Sequence, residues 1–116
     1  LIVVLGHDAC GAVAAAIDAV QPSPPELPMQ VWRQIAPIVP AVHRVMKSTD
    51  TTPETVSPEE VGRDHLRATV SGILNASELI NEAVNEGKVA IVAANYRLTE
   101  GTAVPHFSVG AANADA

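Results

Sequence analysis

His7 and Cys10, two residues apart and directly after the apolar run Leu1-Ile2-Val3-Val4-Leu5, are residue types from which a Zn²⁺ site is built. An imidazole and a soft thiolate at this spacing can meet one zinc ion from a strand end and the start of the following helix. Cys10 would stand at the first turn of an alanine-rich helix, where unpaired amides and the helix dipole favour an anionic sulfur. Gly11 lets backbone come close to anything bound at the metal, which makes it the candidate substrate-contacting residue. The pair fills only half of a tetrahedral shell. Cys10 is the single cysteine, and the bland reading of such a residue is a small buried hydrophobe.

Four other residues are weighed as further ligands. His43 falls in a helix beside Arg44, His65 near the start of a long helix, and His106 after Pro105 near the last strand. None of them has a His or Cys at ligand spacing, so exposed or hydrogen-bonded imidazoles are expected instead. Asp8 is close enough in sequence to approach the metal; the alternative is a turn carboxylate that accepts bonds from backbone amides. No residue of the chain is singled out as a catalytic acid, base or nucleophile.

The elements that must position these residues read as β, α, linker, α, linker, α, β, β. Leu1 to Leu5 is expected as a buried parallel strand and Cys10 to Val20 as a helix, followed by a stiff connector from Gln21 to Pro28. Met29 to Lys47 has helical spacing interrupted by Pro37 and Pro40, which predicts a kinked helix or two short ones. Trp32 there is expected as a packing anchor. After a polar loop from Ser48 to Val56, Ser57-Pro58-Glu59-Glu60 is a helix start with a capping serine and a proline at the first helical position. One helix is expected from Pro58 to Glu86, burying Leu66, Val70, Ile73, Leu74, Ile80 and Val84 and stopping at Gly87. Val89 to Ala93 then reads as a strand parallel to the first, the long connection leaving room for a right-handed crossover. Thr99 to Thr102 reverses the chain into an antiparallel edge strand from Ala103 to Val109, where Pro105 is tolerated.

Composition restricts the partners. Seven Lys plus Arg against thirteen Asp plus Glu give a formal net charge of −6, which disfavours nucleic acid or an anionic membrane surface. The leading apolar run is far too short to span a bilayer and lacks the pattern of a signal peptide. Aromatic residues make up only 3% of the chain, so the core must be built from Ala, Val, Leu and Ile, which suits close helix–sheet layers.

Val4 to Val13 resembles the second zinc motif of the β-class carbonic anhydrases, in which a strand ends in His-x-x-Cys-Gly before a small-residue helix. Lys88 to Val104, with Tyr96-Arg97-Leu98-Thr99-Glu100-Gly101, is similar to that family's last parallel strand, its Tyr-x-Leu-x-x-Gly turn and its closing strand. His65 to Val70 leading to Leu74-Asn75-Ala76-Ser77 resembles the preceding long helix, and Trp32 with Ile38 to Val42 the mid-domain helix. Two positions depart from the pattern: Arg97 stands where an acidic residue is common, and His65 where asparagine often occurs. A Cys-x-Asp-x-Arg segment, which in the family supplies another zinc ligand and an Asp–Arg pair, is expected upstream of the region this chain covers.

The resemblance implies an α/β fold, a mainly parallel sheet flanked by helices with a closing antiparallel edge strand. It implies one partial domain over residues 1–110; the segment 111–116, which lacks apolar bulk, is expected as a loose tail. It further implies Zn²⁺ held by His7 and Cys10, reversible hydration of CO₂ to bicarbonate in the complete protein, and a homodimer or higher homo-oligomer with no nucleic-acid or membrane partner. A reducing, cytoplasmic setting suits the thiolate ligand. The chain alone is expected to be catalytically incomplete. Two alternatives remain beside this reading: a hydrolase of carbonyl sulfide or carbon disulfide, and a non-catalytic metal-binding or oligomerisation module.

Overall fold

Alternation decides the first strand. In the computed structural model, which describes residues 1–110, Ile2–His7 forms β1, and Ile2 and Val4 turn to one side while Val3 and Leu5 turn to the other. The described chain divides into two compact units, one made of Leu1–Asp8 with the residues from Leu66 onward, the other of Ala9–His65.

The first unit holds a three-stranded sheet in the order β1-β2-β3, with β2 at Ile91–Arg97 and β3 at Thr102–Val109. β1 and β2 run parallel, Ile2 beside Ile91 and His7 beside Tyr96. β2 and β3 run antiparallel through the turn at residues 98–101. The parallel pair and the closing antiparallel strand agree with the fold expected from the sequence. Ala93 faces Phe107 but Ala94 faces Pro105, so His106 is the extra residue of a β-bulge. Pro105, which has no N–H to donate, sits on an outer strand of this sheet.

Helices cover one face of the sheet. Helix α4 spans Pro58–Ala76 and α5 spans Glu78–Asn85; Leu66 and Val70 pack with Ile91 and Ala93, and Ile73, Leu74, Ile80 and Val84 join the same cluster. The six helical positions expected to form the buried stripe all lie there. Gly6 admits this helix closely: a Cβ at that position would sit 3.3 Å from Leu66 Cδ1.

Three details differ from the sequence reading. The single helix expected from Pro58 to Glu86 is two, because Ser77 adopts extended backbone (φ −124°, ψ 103°) and its Oγ accepts the Ile80 N–H. The carbonyl of Leu74 near the break accepts instead from the Asn81 side-chain amide at 3.2 Å. The second strand begins at Ile91, since the Val89 N–H is bonded to the Ala83 carbonyl at the end of α5. Gly87, at φ +75°, closes that helix with a Schellman pattern: its N–H reaches the Val84 carbonyl, and the Lys88 N–H reaches Ala83. Finally, the first strand is buried on one face only. Leu1, Val3 and Leu5 are 78%, 53% and 54% exposed, because β1 is an outer strand and the helices of its unit pack against its other side.

The second unit contains α1 (Gly11–Ala19), α2 (Met29–Ile35), a 3₁₀ turn at Ala36–Ile38, α3 (Val39–Thr49) and the start of α4. Pro37 and Pro40 fall in the first positions of the turn and of α3, where a missing N–H costs no helical bond. The expected kink is thus a 3₁₀ turn between two short helices. Its core gathers Val13, Ala16 and Ile17 of α1 with Ile35, Ile38, Ala41, Val42, Val45, Val56 and Val61. Trp32 anchors less than expected: it is 40% exposed and lines an open groove of about 330 Å³ with Pro24, Pro25, Leu27 and Met29. At the start of α4, Ser57 Oγ accepts the Glu60 N–H at 3.3 Å, as its cap position requires. The expected tail over 111–116 lies outside the described residues.

Candidate functional site

His7 is the last residue of β1 and is exposed. Its Nδ1 lies 2.9 Å from the carbonyl oxygen of Asp8. A carbonyl can only accept, so Nδ1 carries a proton, and the tautomer this contact selects has its lone pair on Nε2. A histidine arranged in this way has one nitrogen fixed by the backbone and the other open to a metal.

Asp8 is tied down at three points within its unit. Its N–H donates to the Tyr96 carbonyl at 3.1 Å, which extends the β1–β2 ladder by one residue. Its Oδ1 accepts the Leu98 N–H at 3.0 Å, and its carbonyl receives the His7 ring. Arg97 Nε stands 3.9 Å from Asp8 Oδ2 and equally far from Glu100 Oε2. Of the two readings open for Asp8, the structure therefore shows the amide-binding carboxylate. Sequence reasoning missed the partner, residue 98, and Arg97 beside it. The signal was present in the strand pairing: once His7 is set beside Tyr96, Asp8 must face the turn that follows β2.

Cys10 belongs to the other unit. It is a free thiol, partly buried, and occupies the N-cap of α1 with φ −70° and ψ 118°. Its side chain caps no helical amide, although its carbonyl accepts the Ala14 N–H at 3.1 Å. The thiol is thereby left without a structural hydrogen-bonding duty at the helix start. Ala9, between the two candidate ligands' elements, takes the left-handed conformation at φ +53°. A Cβ added to Gly11 would meet nothing within 4 Å, so no packing requirement explains a glycine there.

The remaining histidines stand elsewhere. His43 is exposed on α3, and His106 is the bulged residue of β3. His65 is half-buried on α4; burial and the Arg44 charge hold its imidazole below the ordinary histidine range, against a smaller opposing pull from Asp64. Arg44 itself donates from Nε to Asp64 Oδ1 at 2.9 Å. Among the described residues no group of three or more His, Cys, Asp or Glu could hold a metal ion, and no helix is long and apolar enough to cross a membrane.

Known proteins resemble this chain in sequence and in fold. The family profile described as "Carbonic anhydrase" matches residues 1–103. Two Mycobacterium tuberculosis proteins named Carbonic anhydrase 2, from strains CDC 1551 / Oshkosh and ATCC 25618 / H37Rv, are each 35% identical over 112 residues. That alignment takes in 95% of this chain and 50% of theirs, so the chain spans about half the length of the curated relatives it matches. A solved structure of a tetrameric β-carbonic anhydrase from the filamentous ascomycete Sordaria macrospora superposes with a TM-score of 0.71 at 20% identity. It matches 94% of this chain and 53% of that one, a likeness of fold.

Proposed function

This chain belongs to the carbonic anhydrase family, and from that premise we propose that it forms part of an enzyme interconverting CO₂ and bicarbonate. The observation that carries the reading is the family match running through residues 1–103, which takes in the strand, the His7–Cys10 segment and the turn after β2. These relatives favour neither the carbonyl sulfide or carbon disulfide hydrolase nor the non-catalytic module.

Zinc is the metal implied, and His7 and Cys10 are the residues proposed to hold it. Their donor chemistry, one neutral nitrogen and one sulfur, suits zinc, and their separation by two residues is that of paired ligands. Zinc when bound supplies the Lewis acidity that makes water a usable nucleophile near neutral pH. His7 contributes the Nε2 lone pair that its Asp8 contact leaves open. Cys10 contributes negative charge, and Gly11 leaves space in which a small triatomic substrate could lie against backbone. Among the described residues no third donor is grouped with the pair, and the further ligand proposed is the cysteine of the upstream Cys-x-Asp-x-Arg segment that the family resemblance implies. A homo-oligomer agrees with the tetrameric state of the Sordaria macrospora proteins, and a reducing cytoplasmic setting agrees with a single free thiol.

The test compares the 116-residue chain, a version extended to its relatives' length by its own encoded upstream sequence, and Cys10→Ser in the extended version. Zinc content after dialysis and stopped-flow CO₂ hydration are measured on each. The short chain should hold zinc weakly and hydrate CO₂ no faster than buffer, and the extended protein should do both. Cys10→Ser should lose both, because a neutral hydroxyl does not replace the thiolate's charge. Zinc loading without hydration in the extended protein would refute the enzyme reading.

A further inference from the structure

Asp8 is neither a proposed zinc ligand nor a proposed substrate contact, yet it is heavily tethered at the end of β1. Its N–H, its carboxylate and its carbonyl are all engaged, with Tyr96, Leu98 and the His7 ring respectively. The next residue, Ala9, is held at φ +53°, a conformation that a residue with a Cβ adopts only under constraint from its surroundings. The peptide joining Asp8 to Ala9 therefore sits where the backbone's own preference would not keep it, and its oxygen is the one that receives His7 Nδ1–H. The anchor from Asp8 Oδ1 to the Leu98 amide comes from the start of the turn that follows β2 and is independent of the ring it stabilises.

We propose that Asp8 is a positioning residue for His7: its carboxylate, fixed on the Leu98 amide, holds the peptide whose carbonyl locks the His7 ring with Nδ1 protonated and Nε2 free to bind zinc. The proposal rests on His7 being a zinc ligand. Its structural part, the locked tautomer, is independent of metal. Arg97 lies too far from Asp8 Oδ2, at 3.9 Å, to replace the amide. The proposal predicts that the acceptor oxygen matters and the carboxylate charge does not. Asparagine keeps that oxygen; alanine removes it.

The experiment is ¹⁵N–¹H correlation of the imidazole rings in the metal-free full chain at about pH 8.5, where histidines with an ordinary pKa of roughly 6.5 are neutral. The His7 signals are assigned by their disappearance in His7→Gln. Wild type and Asp8→Asn should show His7 protonated at Nδ1, whereas Asp8→Ala should show exchange between tautomers and loss of the low-field position of the Leu98 amide proton. Zinc titration of the same proteins should show about a tenfold loss of affinity for Asp8→Ala and little change for Asp8→Asn. Wild-type His7 protonated at Nε2 would overturn the proposal, as would a locked ring in Asp8→Ala or an unlocked one in Asp8→Asn. Should Asp8→Ala fail to fold, the wild-type and Asp8→Asn spectra still decide. If instead the tautomers behave as stated but His7→Gln binds zinc as wild type does, it is the ligand assignment of His7 that fails.

Discussion

His65 is the residue whose charge state the fold opposes most plainly. Burial and the Arg44 guanidinium both disfavour the imidazolium, so the unfolded chain binds this proton more readily than the folded one. Stability should therefore rise with pH across the ordinary histidine range and fall on acidification through about pH 6.5. Urea midpoints measured between about pH 5 and 8 should slope upward, and His65→Gln should flatten that slope. An unchanged slope would place the pH sensitivity on another group. Gly11 gives a second expectation at this scale. Because a Cβ there meets open space, Gly11→Ala should leave the thermal midpoint no lower while reducing hydration in the extended enzyme; an equal loss of stability would make Gly11 a packing residue. His7 and Cys10 are proposed as a ligand pair on covalent spacing, a relation that can be read without any fold. The partner of Asp8 was not legible in this way, because the Leu98 amide lies 90 positions away and only strand pairing brings it near.

Helix ends decide more here than helix interiors. Ser57 and Ser77 each accept an N–H three residues on, at 3.3 Å and 3.2 Å, and replacing either by Ala should cost about 1 kcal/mol in denaturant unfolding. The two losses should differ in where they appear. Ser77→Ala should raise amide exchange in α5, whose first amides depend on it, and a uniform change across the chain would refute a local cap. Gly87→Ala should cost about 1–2 kcal/mol, the penalty for a side chain in left-handed backbone. The apolar stripe of the long helical region was legible because six positions at helical spacing all reach the same cluster. The break at Ser77 escaped because the stripe continues across it: Leu74 and Ile80 serve one core, so periodicity shows no interruption. The cap residue itself was the readable sign, a serine before the acidic Glu78. Likewise Val89 has the right residue type for a strand, but the end of α5 takes its N–H first.

At the scale of the whole molecule, two properties oppose one another. A net charge of −6 favours dispersion, whereas β1 offers an outer edge with Leu1, Val3 and Leu5 exposed beside it. An apolar edge of this kind is a template for pairing with another chain. The 116-residue chain should therefore self-associate as its concentration rises, and more strongly in high salt, where charge repulsion is screened. Val3→Lys, on the exposed face, should shift sedimentation toward monomer without lowering the thermal midpoint. Association unaffected by this change would assign the contact to another surface, such as the groove beside Trp32. The type of fold was legible from the order of elements and from two short apolar runs. The exposure of the first strand was not, because an unbroken apolar run looks the same whether one face is covered or two.

The pairing of Ile2 with Ile91 also sets an order of events during synthesis. β1 leaves the ribosome before the helices that follow it, and the strand it must lie beside, β2, is made only after all of them. At the usual rate of roughly 5–20 residues per second, that interval is about 5 to 20 s, far longer than local helices need to form. The helices of residues 9–65 can gather their own core in that time, while the pair of β1 with β2 cannot yet form. Throughout the wait, the edge of β1 that β2 will occupy stays open, and the apolar run of residues 1–5 goes without that cover.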